Sequence, residues 1–210
     1  SLDSVDPAKS AKITRTPAAF ERVMAGIDVA VESGLAPVKV NIVLVRGFND
    51  DEIVEFARLA RQREVVIRFI EFMPLDADHT WSPDRVVTAH EVVETIRRVW
   101  PLEEIPRRTP SETALRYRFA DGKGEIGIIA PVSIPFCGRC SRLRLTAEGK
   151  LRTCLFSLQD HDLRHLLRNG AGDQEIAEFI TDLVHKKEPG HRINEPDFVQ
   201  PERTMVYIGG

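Results

Sequence analysis

Long apolar runs are missing from this 210-residue chain. Nothing in it approaches the roughly 18 consecutive apolar residues of a membrane-spanning helix, and its first residues carry no basic-then-apolar signal pattern. Secretion and membrane insertion are not expected, which leaves the cytoplasm as the expected location. Net charge is nearly absent as well. With 29 Lys and Arg against 32 Asp and Glu, the formal charge of −3 gives no general attraction to nucleic acid or to an anionic membrane. DNA, RNA and membranes are therefore not expected partners, and electrostatic recognition must come from a local patch. Cysteine is scarce: three residues, an odd number, all within 137–154. That is a poor disulfide framework and points to an intracellular metal or redox site. Internal repeats and low-complexity stretches are missing too. What is present suits a folded chain: 42% hydrophobic residues is too apolar for disorder, and the length allows one large domain or two small ones.

The first hundred residues alternate helix and strand signals. Phe20, Val23, Met24, Ile27 and Ala30 recur at helical spacing between Thr16-Pro17 and Gly34, which predicts a helix with its N-cap and N1 at Thr16 and Pro17. Residues 38–45 read as a strand whose even positions are all apolar, while Lys39 and Asn41 mark the other face. A helix through Ile53, Phe56, Ala57 and Ala60 follows, then a strand over 65–73 ended by Pro74. Thr88 with Glu91 forms a capping box that opens a helix through Val92, Ile96 and Val99. A strand stub at 1–3 completes a βαβ pattern with too few strands to close a barrel. After Pro101 the texture changes. Residues 106–110 read as a linker, Leu115–Phe119 and Glu125–Ile129 as short strands, and 142–145 with 151–154 as a hairpin. Two helices close the pattern, one through Leu163, Leu166 and Leu167, the other from Asp173 through Ile176, Phe179, Ile180, Leu183 and Val184.

The chemistry gathers in Phe136-Cys137-Gly138-Arg139-Cys140-Ser141-Arg142-Leu143-Arg144-Leu145, with Cys154 thirteen residues beyond Cys140. Cys137 and Cys140 fall on a turn that Gly138 lets bend, and the hairpin returns Cys154 beside them. Three thiolates leave one coordination position over. Either a histidine such as His161 or His165 completes a structural zinc site, or an iron–sulfur cluster keeps one metal position open for a non-protein ligand. Arg142 and Arg144, two apart on the expected strand, leave the same face beside Cys140, where two guanidinium forks suit an anionic ligand; the plain alternative is a solvated strand face. Lys39 and Asn41 can equally be exposed residues of an edge strand. Arg68, inside an apolar strand, needs a partner or a ligand, and Asp3 is the plain candidate for an ion pair.

The run over 136–156, the strand Arg68-Phe69-Ile70-Glu71-Phe72-Met73-Pro74 and the terminal Gly209-Gly210 together resemble the molybdenum cofactor biosynthesis protein A family. Members of that family are GTP 3′,8-cyclases of the radical S-adenosylmethionine class. The resemblance runs over the whole chain and implies the C-terminal portion of such an enzyme, because the family's N-terminal half-barrel with a CxxxCxxC loop has no counterpart here. It implies that Cys137, Cys140 and Cys154 hold a second [4Fe–4S] cluster whose open iron takes the purine of GTP. Arg142, Arg144, Lys39 and Arg68 match GTP-site positions. Ser1 and Met73 match positions near S-adenosylmethionine, Met73 only if it lies past its strand, and Gly209-Gly210 matches a tail that reaches the active site. In the complete enzyme a 5′-deoxyadenosyl radical abstracts hydrogen from C3′ of GTP, and the carbon radical attacks C8. Cyclic pyranopterin monophosphate synthase is the implied downstream partner.

The expected fold class is α/β: the C-terminal part of an incomplete (βα) TIM-type barrel over 1–100, then a smaller α+β region over 101–210 carrying the iron–sulfur cluster, the GTP site and the diglycine tail. An incomplete barrel exposes a strand edge, so either the missing half-barrel or self-association is expected to cover it. Two functions are in contention. One is a cyclase portion that binds GTP and needs its N-terminal half for turnover. The other is a non-catalytic, metal-stabilised nucleotide-binding or interaction module.

Overall fold

The computed structural model describes every residue except 77, 78, 206, 209 and 210. It divides into two compact units, Ser1–Phe72 with Ser82–Pro135, and Met73–Trp81 with Phe136–Gly210.

Period-two patterning builds the first unit. Strand β1 (Val38–Leu44) buries Val40, Ile42 and Leu44, and leaves Lys39 exposed with Asn41 and Val43 half-buried. Strand β2 (Val65–Glu71) buries Val65, Ile67, Phe69 and Glu71 and turns Val66, Arg68 and Ile70 the other way. Three further strands, β3 (Leu102–Ile105), β4 (Leu115–Phe119) and β5 (Glu125–Ile129), complete a sheet of order β1-β2-β5-β4-β3. The β1–β2 and β2–β5 pairings are parallel, and those of β4 with β5 and β3 are antiparallel.

Helices cover one face. They are α1 (Pro7–Thr14), α2 (Ala19–Glu32), α3 (Ile53–Gln62) and α4 (Ala89–Arg97). Ile27, Phe56, Ala60, Val92 and Ile96 join Ile42, Ile67, Phe69, Phe119 and Ile126 in one apolar core. The opposite face is mixed, with an apolar row of Val43, Ile70 and Ile129 beside polar ones. Its register aligns Lys39, Val66, Glu125, Arg118 and Glu103 in one row, and Asn41, Arg68, Gly127, Arg116 and Ile105 in the next.

The expected capping box forms: Glu91 accepts from the Thr88 N–H at 2.9 Å, and Thr88 Oγ1 accepts from the Glu91 N–H at 3.3 Å. Two expectations at the start of the chain are corrected. Asp6 accepts from the Ala8 and Lys9 amides and, with Pro7 at N1, opens α1, a helix the apolar spacing does not signal. Arg15 and Ala18 then take left-handed conformations (φ 54°) to turn the chain, so α2 begins at Ala19 and not at Pro17. Residues 1–3 form no strand, although the Leu2 N–H donates to Asn41 O beside β1.

After Pro101 the sheet becomes mixed: β5 joins β2 in parallel, while β4 pairs antiparallel with β5 and β3. The compact boundary falls later, at Pro135, because β4 and β5 hydrogen-bond into the same sheet as β1 and β2.

The second unit contains a three-stranded antiparallel sheet, β6 (Arg144–Leu145), β7 (Lys150–Arg152) and β8 (His161–Asp162), with helices α5 (Leu163–Arg168) and α6 (Asp173–His185). Leu151, Leu163 and Leu183 form one small core cluster in it, against which Leu166, Ile176, Phe179 and Ile180 pack. Among the described residues no helix is long and apolar enough to cross a membrane.

Candidate functional site

Two short segments carry the thiols. Residues Cys137–Arg139 form a single 3₁₀ turn, closed by the Cys140 N–H donating to Cys137 O at 3.0 Å. Gly138 has no positive φ and open space at its Cβ position, so the turn does not depend on it in the way the sequence suggests. Cys154 follows the end of β7 by two residues, and all three cysteines are half-buried free thiols.

The chain just past α6 braces both segments. Lys187 Nζ donates to Arg142 O at 3.0 Å and also to Thr153 O, and Glu188 accepts from Thr153 Oγ1. Gly190 lies against Cys137; a Cβ there would stand 3.2 Å from the cysteine's own Cβ. One lysine thus ties together the backbone beside Cys140 and the backbone beside Cys154.

Electrostatics distinguish the thiols. Burial pushes Cys140 up, but the Arg142 amide and guanidinium, helped by Lys187, outweigh it and hold the thiol below its usual range. The Arg142 Nε donates to Cys140 Sγ at 3.3 Å. Cys154 goes the other way: burial raises it, Glu188 and Cys137 add to that, and the Phe156 amide and Lys187 oppose it. Cys137 and Cys154 are within electrostatic reach of each other, and Arg144 is within reach of both Cys140 and Cys154.

Among the described residues no group of three or more His, Cys, Asp and Glu side chains is gathered tightly enough to hold a metal ion. His165, one candidate for completing a zinc site, has its ring hydrogen-bonded to Asn169, the residue that caps the end of α5. The donor chemistry nevertheless fits an iron–sulfur cluster: three soft sulfurs, that of Cys140 hydrogen-bonded by Arg142, beside Arg144 and Lys187.

Arg142 and Arg144 do not share a strand. β6 begins at Arg144, and Arg142 is exposed in the loop before it, its guanidinium over the Phe136 ring at 5.2 Å. The residues between the cysteine turn and the two-residue strand follow Cys140 and Phe136 instead of a ladder. Both arginines still line one cavity of about 300 Å³, with Leu143, Leu145 and Ile208. Arg144 is half-buried and lies opposite Arg152 in the β6–β7 register.

In the first unit, Lys39 is exposed on β1, an edge strand of the described sheet. Arg68 Nε donates to Asn41 Oδ1 at 2.8 Å, so its partner is the neighbouring amide; Asp3 instead accepts from the Val43 N–H at 2.9 Å. Gly127 makes room for the arginine stem, since a Cβ there would meet Arg68 Cγ at 3.3 Å. Burial lowers Arg68 from its usual range, and Glu112 works against that.

Met73 lies past the end of β2, as its expected role requires, but it belongs to the second unit. Ser1 is exposed, and Gly209 and Gly210 lie outside the described residues. Sequence reasoning missed Glu71, Asn41 as partner of Arg68, Lys187, and the set Glu148, Asp160 and Arg203. The signal for Glu71 was available: an acid within an otherwise apolar strand.

The family model described as Molybdenum Cofactor Synthesis C matches residues 65–193, and that of the Radical SAM superfamily matches residues 1–60. Over the full chain, the sequence is 45% identical to a GTP 3′,8-cyclase of Mycolicibacterium smegmatis, covering 59% of that protein. It is 40% identical to a GTP 3′,8-cyclase of Rhodopirellula baltica, again over all of this chain and 59% of the relative. The corresponding figures for a GTP 3′,8-cyclase of Moorella thermoacetica are 43% identity, all of this chain and 64% of the relative. The chain thus spans about three-fifths of the length of these relatives.

Proposed function

Because the chain belongs to the Molybdenum Cofactor Synthesis C family, we propose that it supplies the second-cluster and nucleotide-binding portion of a GTP 3′,8-cyclase of molybdenum cofactor biosynthesis. The reaction converts GTP to (8S)-3′,8-cyclo-7,8-dihydroguanosine 5′-triphosphate, with S-adenosylmethionine as the radical source. In this reading the β1–β2 part of residues 1–100 belongs to a (βα) barrel of the TIM type and contributes Lys39 and Arg68, and the cluster cysteines with Arg142 and Arg144 fall in 101–210. The edge of β1 is covered either by the remaining barrel strands or by a second copy of the chain. A cytoplasmic setting is part of the proposal, as is cyclic pyranopterin monophosphate synthase as the next protein in the pathway.

The observation that carries this reading is the pair of thiol-bearing segments stapled by Lys187 beside the cavity that Arg142 and Arg144 line. Cys137, Cys140 and Cys154 hold a [4Fe–4S] cluster, which supplies, when bound, a Lewis-acidic iron with a position open to the guanine base. Arg144, half-buried, meets the negative charge of a nucleoside triphosphate where little water screens it, and Arg142 does so from the exposed side. Lys187 holds the loops in register. Arg68, fixed by Asn41, and Lys39 orient the ribose and phosphates, and Ser1 and Met73 contact S-adenosylmethionine. Gly209-Gly210 approach the substrate through backbone alone.

Iron and sulfide analysis after anaerobic reconstitution tests the centre. About four irons with equal sulfide bound through these cysteines is the expected result; a single zinc overturns it. In the complete enzyme, Cys137→Ser is expected to abolish GTP turnover while S-adenosylmethionine cleavage persists, and retained turnover removes the cluster role.

A further inference from the structure

The β6–β7 turn holds one carboxylate in a fixed place. Gly149 takes φ 79°, and a Cβ at that position would stand 2.7 Å from Arg164 Cβ, so the turn admits glycine alone and packs closely on α5. The Gly149 N–H donates to Thr146 O, and Gly149 O accepts from the Arg164 N–H, both at 2.9 Å. The carboxylate presented just before it, Glu148, meets the end of the chain from two sides. The Tyr207 hydroxyl donates to Glu148 Oε1, and Arg203 Nη1 approaches Oε2 at 3.5 Å. The same Arg203 guanidinium stacks over the Tyr207 ring at 4.4 Å and reaches Asp160 Oδ2 at 3.1 Å. Asp160 in turn pairs through Oδ1 with the Nε of Arg152 at 3.0 Å, and Arg152 is only 2% exposed and faces Arg144 across the β6–β7 register.

One residue beyond Tyr207, Ile208 is 0% exposed and forms a wall of the cavity that Arg142 and Arg144 line. A terminal segment docked only by hydrophobic contact would not need a carboxylate engaged by a hydroxyl and a guanidinium at the turn of the hairpin.

We propose that Glu148 is a positioning residue: through Tyr207 and Arg203 it clasps the C-terminal segment to the β6–β7 hairpin and thereby makes Ile208 part of the site that takes a nucleoside triphosphate. This rests on the reading that the arginine cavity binds the nucleotide. The clasp also ties the tail to the strand residue opposite Arg144, because Asp160 bridges Arg203 to Arg152. The Tyr207 hydroxyl and the Arg203 guanidinium, with Lys150, hold the Glu148 carboxyl below its usual range.

The test uses the full-length reconstituted protein with Glu148→Ala, Glu148→Gln and Tyr207→Phe. Hydrogen exchange followed by mass spectrometry reads the amides of Tyr207 and Ile208, which donate to Thr204 O and Met205 O, and equilibrium dialysis reads GTP affinity. Glu148→Ala is expected to speed exchange in this segment about tenfold and weaken GTP binding by a similar factor. Glu148→Gln, which keeps an acceptor for Tyr207 but loses the charge facing Arg203, is expected to fall between it and the unaltered protein. Unchanged exchange in Glu148→Ala and Tyr207→Phe overturns the clasp. Faster exchange with unchanged GTP affinity overturns the role of Ile208 as part of the site and leaves the nucleotide reading intact. Failure of the unaltered protein to bind GTP removes the nucleotide reading, and the exchange data still decide the clasp. Should Glu148→Ala fail to fold, Tyr207→Phe, which removes a single exposed hydroxyl, carries the same comparison.

Discussion

Replacing Glu71 by alanine removes an acceptor that four donors share. The side chain ends β2 at 2% exposure; its Oε1 accepts from the Ala89 N–H at 3.0 Å and from the Ser133 hydroxyl, and its Oε2 accepts from the Val132 and Ser133 amides at 2.8 Å each. The Ala89 and Val132 amides are buried, whereas Ser133 is exposed and finds water. Stranding a buried donor costs about 1–3 kcal/mol, so two such losses set the expected destabilisation of Glu71→Ala near ~4 kcal/mol. Glutamine keeps one oxygen. If that oxygen faces Val132 and Ser133, its amide N–H₂ can donate to the Ser133 hydroxyl, and only the Ala89 amide is left facing a donor. Glu71→Gln is therefore expected to cost about half as much, ~2 kcal/mol. Urea unfolding followed by Trp100 fluorescence in a Trp81→Phe background reads the first unit, since Trp100 packs edge-on against Phe119 there. With a slope of about 3 kcal/mol per M, the midpoint should fall by roughly 1.3 M for alanine and about half that for glutamine. A fall below ~0.3 M for alanine, or a larger one for glutamine, refutes the assignment of Glu71 as the tie between β2, α4 and the loop after β5.

Three further outcomes follow from single contacts. Gly127→Val sets new carbon against Arg68 Cγ and Ala114 Cβ, each 3.3 Å from the Cβ position; it should lower stability by about 1–3 kcal/mol and, by displacing Arg68, weaken GTP binding in the full-length protein. Unchanged affinity in calorimetry would detach Arg68 from the nucleotide. Lys187→Met removes the donor shared by Arg142 O and Thr153 O, and iron content after reconstitution should drop below that of the unaltered protein; equal iron shows that the staple is dispensable. Arg61 grips Asp121 with two parallel hydrogen bonds of 3.0 and 2.7 Å. That contact holds the Asp121 carboxyl down to about 2, from 3.8. An acid depressed in the folded state stabilises above its unfolded pKa and loses that contribution as pH falls through the folded one. Stability should therefore decline between about pH 4 and pH 2 partly through this group, and Asp121→Asn should flatten that part of the acid-unfolding curve.

The sheet was legible because period-two patterning survives burial on one side only: Val40, Ile42 and Leu44 against Lys39 and Asn41 fix which face meets the helices. Capping at Thr88 was legible because the box is local. Helix α1 escaped notice because its stripe is weak, although Asp6-Pro7 carried a start signal as good as that at Thr88. Arg142 was assigned to a strand because alternation with Leu143 and Leu145 imitates one; the ladder it would need begins only at Arg144.

The candidate site shows a deeper limit, which concerns charge. Read along the chain, Arg139, Arg142, Arg144, Lys150 and Arg152 form a basic run opposed by Glu148 alone. In space the run divides. Arg152 is turned inward and answered by Asp160, which immediately precedes the strand whose pairing sets Lys150 against Asp162 and Leu151 against His161. That strand, His161–Asp162, is two residues long and has no periodicity to betray it. Glu148, the apparent counter-charge of the run, keeps only a long contact with Lys150 at 3.9 Å and meets Arg203 and Tyr207, more than fifty residues away. The cations that line the cavity are then Arg142 and Arg144, the two whose neighbours include the thiols. A charge count over a window sums all five cations, whereas the fold sorts them by partner, and the sorting depends on antiparallel register and on the end of the chain.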